Sequence, residues 1–85
     1  MPEISRFLGI VIRMYYREHQ PPHFHARYGD YEVVVHLETG VVQSRFPRRA
    51  MRHVLEWHEL HREELLADWD LAASGRPLRS IAPLE

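Results

Sequence analysis

The chain has no cysteine in its 85 residues. A disulfide framework and a thiolate metal site are therefore excluded, and only histidine and carboxylate remain to hold a metal. Lysine is missing as well, so all 11 basic residues are arginine. Arginine forks suit phosphate and carboxylate better than lysine does, although a GC-rich genome produces the same bias with no function attached. No apolar stretch is long enough to cross a bilayer, and no positively charged start precedes an apolar run. The expectation is a soluble, unexported, cytoplasmic protein. Glycine-rich phosphate loops and a serine nucleophile elbow are also absent.

The apolar share of 45% and the short length set one small domain over residues 1–85 with one core. The net charge of -1 hides an uneven layout. The arginines gather before residue 50 and the acids after it, which makes the N-terminal part the candidate anion-binding half. Ile10, Ile12, Met14 and Tyr16 alternate with Val11, Arg13, Tyr15 and Arg17, the period of a half-buried strand. After a break at Gln20 to Pro22, His23 to Tyr28 and Tyr31 to Leu37 flank Gly29-Asp30, a two-residue linker that closes a hairpin. A short fourth strand follows at Val41 to Arg45. From Pro47 to Ser74 the pattern is helical, with Gly75 and Pro77 as stop signals.

The spacing predicts an α+β domain: a four-stranded antiparallel meander within residues 7–45, and one long helix over about 47–74 laid on one sheet face. A tail at 75–85 is expected to fold back on the core. Met51, Val54, Leu55, Leu65, Trp69 and Ala72 form the buried stripe, with His58 and His61 inside it as hydrogen-bonded core residues.

The segment His19-Gln20-Pro21-Pro22-His23-Phe24-His25 carries the chemistry, because histidine ligates metal, moves protons and changes charge near neutral pH. With Tyr28 opposite Tyr31, the register pairs Arg27 with Glu32, His25 with Val34, and His23 with His36. Phe24, Ala26, Tyr28, Tyr31, Val33 and Val35 then face the core. His23, His25, Arg27, Glu32, Val34 and His36 face away from the helix. Two readings follow. In the first, His23 and His25 act as base and acid, with Arg27 or Arg13 as the cation, in a metal-free cleavage of RNA. In the second, His23 and His25 with His36 or His19 hold zinc or nickel, or the strand serves protein interaction without catalysis. Arg48, Arg49 and Arg52 at the helix start, with Arg13 and Arg17 on the first strand, are the candidate nucleic-acid contacts. The open sheet face also offers a surface on which two copies would pair.

Nearly end to end the chain resembles a small bacterial family, domain of unknown function 4160. The resemblance rests on Ile4-Ser5-Arg6-Phe7, Arg13-Met14-Tyr15-Tyr16, His19-x-Pro-Pro-His23-Phe24-His25, Glu38-Thr39-Gly40, Pro47-Arg48-Arg49-Ala50, Leu55-Glu56-Trp57, Leu60 to Leu66, and the Gly75-x-Pro-Leu78 tail. His36 and His58 depart from the pattern. The resemblance implies a toxin-like role in a type II toxin–antitoxin pair, with a neighbouring antitoxin-like protein of the domain of unknown function 2442 type as partner.

Overall fold

The computed structural model describes residues 3–40, 42–43 and 45–85, with residues 42–43 described by backbone alone. Among these, β1 (Glu3–Phe7), β2 (Ile10–Arg13), β3 (His23–Tyr28), β4 (Tyr31–His36) and β5 (Val42–Gln43) form one antiparallel sheet in chain order. Helices α1 (Arg48–Leu60) and α2 (Arg62–Ala73) follow, so the fold is α+β.

The strands differ from the expectation in number and extent. The sheet has five strands among the described residues, because Glu3–Phe7 adds a strand ahead of β2. Its turn is Leu8-Gly9, with φ of 50° and 79°. Positive φ at both central residues is the mark of the tight hairpin turn that matches strand twist. The strand expected to run to Arg17 stops at Arg13. Of the strand expected at Val41 to Arg45, β5 covers Val42–Gln43, while Val41 and Ser44 lie outside the described residues.

The single long helix is two. A straight helix over 47–74 would be about 42 Å long, whereas the longest extent of the molecule is 33 Å. The chain breaks at His61, with φ of -120°, which lets Val54 and Trp57 on one side and Leu65, Trp69 and Ala72 on the other all enter the core. His58 is buried and bonds through Nε2 to the Leu37 carbonyl at 2.8 Å. His61 is half-buried at the break and meets Glu64 at 2.6 Å.

The β3–β4 register is the one a two-residue turn dictates: Tyr28 opposite Tyr31, Arg27 opposite Glu32, His25 opposite Val34 and His23 opposite His36. Phe24, Ala26, Val33 and Val35 are buried on the core face beside Ile10, Ile12 and Met14. Tyr28 and Tyr31, assigned to that face, are 38% and 49% exposed. They sit at the hairpin end, where the rings flank Phe46 rather than the central core. The tail returns to the sheet: the Ile81 amide donates to the Ile4 carbonyl at 2.8 Å, and Trp57 Nε1 donates to the Ala82 carbonyl at 2.8 Å.

Candidate functional site

Residues 14–22 leave β2 and return to β3 without regular structure. Arg17 takes a left-handed φ of 56°, a conformation that costs a non-glycine residue about 1–2 kcal/mol, and its amide is held by the Ala72 carbonyl at 3.2 Å. That bend brings Glu18 back over the start of β3. The Gln20–Pro21 peptide is cis, and the Pro22 carbonyl accepts from the Leu37 amide at 2.9 Å. The segment is thus tied to α2 on one side and to the residue after β4 on the other.

One carboxylate oxygen organises the site. Glu18 Oε1 lies 2.9 Å from His23 Nε2 and 2.8 Å from His25 Nε2. The other nitrogen of His23, Nδ1, lies 2.8 Å from the Pro21 carbonyl. A carbonyl only accepts, so Nδ1 must donate; Nε2 then donates to Glu18 when the ring carries a second proton and presents a lone pair when it does not. The ligand atoms of Glu18, His23 and His25 all lie within 4.8 Å of one another, and these three are the only such group among the described residues. His25 Nδ1 is buried without a hydrogen-bond partner among the described residues, and Glu32 Oε2 lies 3.6 Å from it.

Burial pushes the Glu18 carboxyl up, but hydrogen bonds from His25 and His23 and their charge outweigh it, leaving the group below the usual carboxylate range. Trp69 of α2 stands 5.2 Å from the His23 ring, and Tyr15 meets His25 edge-on at 4.6 Å.

These contacts correct the expected picture of a free histidine face. His23 is only 5% exposed, with the Trp69 ring of α2 set 5.2 Å from its own. His25 is half-buried, and Arg27 is exposed, bonded to the Gly29 carbonyl at 3.1 Å and 3.9 Å from Glu32. His19 and His36 flank His23 with ring centroids at 5.9 and 6.4 Å, and neither belongs to the group of converging ligand atoms. Arg13 lies opposite His25 on β2 and lines a shallow depression with Val11, Tyr15, His25, Arg27 and Glu32.

The other arginines are elsewhere. The Arg17 guanidinium lies over Gly75 beyond the end of α2. Arg48, Arg49 and Arg52 are exposed at the start of α1. There Arg49 shares a cavity with Leu8, Tyr28 and His53. Tyr28 is five residues along β3 from His23, roughly 17 Å, so the α1 arginines and the histidines do not form one site. Glu18 was not among the residues expected from sequence; an acid five positions before His23 in an aperiodic segment gives no motif, and only the bend at Arg17 makes it a neighbour.

No curated protein and no solved structure compared with the chain matches it. The family model described as domain of unknown function, DUF4160, matches residues 9–70, well over half of the sequence and the whole of the histidine site. The chain belongs to that family.

Proposed function

We propose that the chain is the toxin-like member of a bacterial type II toxin–antitoxin pair, and that it binds RNA on the sheet face turned away from the helices. The observation that carries the reading is the joint placement of Arg13, Tyr15, His25 and Arg27 around one shallow depression of that face. Two guanidiniums suit phosphates, and the half-buried Tyr15 ring just past the end of β2 suits an unstacked base. Glu32 is the one acid in the depression. Its partner Arg27 is 3.9 Å away, and both side chains are about half exposed. Such a pair is worth roughly 0–1 kcal/mol, so a phosphate can take the guanidinium from it.

Binding is better supported than metal-free cleavage. A general acid–base pair needs two imidazoles with a nitrogen each to offer the substrate, whereas His23 is closed in by Trp69 with both nitrogens engaged. In this reading the antitoxin-like partner of the domain of unknown function 2442 type covers the same face and competes with RNA.

The test is fluorescence anisotropy with a labelled single-stranded RNA of mixed sequence between about 50 and 200 mM salt. Arg13→Gln and Arg27→Gln are each expected to weaken binding and to lower the slope of log affinity against log salt by about 0.7. Affinity and slope that are the same in both variants and the wild type would remove RNA from this face.

A further inference from the structure

We infer that Glu18, His23 and His25 form a mononuclear centre for a divalent first-row transition ion of the zinc or nickel class. The inference stands on three ligand atoms that lie within 4.8 Å of one another, and it goes beyond the RNA reading without depending on it.

The His23 ring has one proton to give in its neutral form, and the Pro21 carbonyl at 2.8 Å takes it. With that single proton its Nε2 lone pair faces Glu18 Oε1 at 2.9 Å, acceptor against acceptor, and either a second ring proton or a metal ion between them resolves the clash. His25 Nε2 approaches the same oxygen at 2.8 Å. If His25 donates there, its Nδ1 is left buried and without a hydrogen-bond partner among the described residues. A second proton on His23 answers only the first of these contacts, whereas a metal ion among the three atoms gives all three converging ligand atoms one positive partner. Both Nε2 lone pairs and the carboxylate then point at positive charge, and the His25 proton moves to Nδ1, toward Glu32 Oε2 at 3.6 Å.

The surroundings match what metal-bound histidines need. A ligating imidazole is normally oriented by a hydrogen bond from its other nitrogen to a carbonyl or carboxylate. His23 has the Pro21 carbonyl in that role, and for His25 the carboxylate on that side is Glu32, 3.6 Å from Nδ1 and a small shift short of a hydrogen bond. Bonds of about 2.1 Å place neighbouring ligands about 3.0–3.4 Å apart, a few tenths of an ångström beyond the 2.8 and 2.9 Å observed. Glu18 sits on an irregular segment whose small outward shift supplies that difference. Two imidazoles and one carboxylate favour zinc, nickel, iron or cobalt over magnesium or calcium, which prefer all-oxygen sets. Three protein ligands also leave at least one position for water or an exogenous ligand.

The chelator-treated full chain, checked for its fold by circular dichroism, is titrated calorimetrically with zinc chloride and then nickel chloride. One ion per chain is expected. Loss of an outer-shell partner alone costs about 10- to 100-fold in metal affinity, so Glu18→Ala and His25→Gln should each cost at least about a hundredfold. Glu18→Gln, which keeps the side-chain shape and removes the charge, guards against an unfolded alanine variant and should weaken binding likewise. Nickel should also quench the emission of Trp69, whose ring stands 5.2 Å from His23, and Trp69→Phe should abolish that part of the quenching. His19→Ala, His36→Ala and the Arg13→Gln, Arg27→Gln double variant should bind as the wild type does. The last of these separates failure of the metal centre from failure of RNA binding. The inference is overturned by absence of stoichiometric binding, by equal binding in the Glu18 and His25 variants, or by loss in His19→Ala or His36→Ala alone.

Discussion

His23→Ala should behave as a core mutation, and His25→Ala should not. The His23 ring is 5% exposed and packs against Trp69 at 5.2 Å and His25 at 5.3 Å, with its Nδ1–H on the Pro21 carbonyl. Truncation removes one hydrogen bond worth about 1 kcal/mol and ring contacts worth about 0.5–1.5 kcal/mol. It also leaves a cavity under Trp69, so the expected cost is about 2–4 kcal/mol. For a domain of this size each kcal/mol moves Tm by about 4–8 °C, which gives a fall on the order of 10–25 °C. The His25 side chain is 16% exposed and its ring leans on Tyr15 at the surface, so its truncation should cost about 1–2 kcal/mol. Both variants are compared by calorimetry and urea unfolding in the presence of chelator, so that metal plays no part. A His23→Ala protein melting within about 2 °C of wild type would refute the burial argument and restore His23 as a surface group. Activity lost in a His23 variant therefore says nothing about chemistry until its fold is measured.

Asp68 should show the opposite pH sign from an ordinary salt-bridged acid. Burial pushes its carboxyl up against the opposing effect of the Arg79 amide and guanidinium, so its stabilising contribution is full below the usual carboxyl pKa and is lost as pH rises through the folded value. Asp68→Asn keeps the acceptor for the Arg79 amide at 2.9 Å and replaces Oδ2, which has no partner among the described residues. Urea unfolding should show a gain of about 1 kcal/mol at neutral pH that disappears in acid; a loss at neutral pH would contradict it. Truncation after Leu78 removes Ile81, 4% exposed, and the bonds to Ile4 and from Trp57. It should cost about 3–5 kcal/mol, and an unchanged Tm would show that the tail adds nothing. Leu8→Asn should raise the urea midpoint by the equivalent of about 1 kcal/mol, because Leu8 is 57% exposed with a φ of 50° that asparagine tolerates better. A lower midpoint would mean that Leu8 contributes packing its exposure does not suggest.

The hairpin was legible because Gly29-Asp30 sits between two alternating runs, and a two-residue turn leaves one register that buries Phe24, Ala26, Val33 and Val35. The strand at Glu3–Phe7 was not, since its turn is built on Leu8, a residue that carries no turn signal and occupies the left-handed region by constraint. The helical stretch after Pro47 was readable as helix and unreadable as two. No glycine or proline marks His61, and the break arises from the size of the body that both halves must cover. Sequence periodicity is local, whereas that limit belongs to the whole molecule.

The histidine site failed to declare itself for a related reason. Positions 23, 25 and 36 share a sheet face, and alternation identifies such a face well. A shared face, however, sets side chains parallel, with neighbours on one strand about 7 Å apart, and parallel imidazoles do not converge on an atom without something to lean toward. His36 shows this: it lies directly across from His23 in the ladder, yet its ring stays 6.4 Å away. What His23 and His25 converge on lies outside the sheet: Glu18 Oε1, delivered by the left-handed bend at Arg17 that the Ala72 carbonyl holds. The bend in turn exists only once α2 has packed. The site is therefore a tertiary product, and variants that disturb the contact of Arg17 with α2 should loosen Glu18 without touching a single histidine.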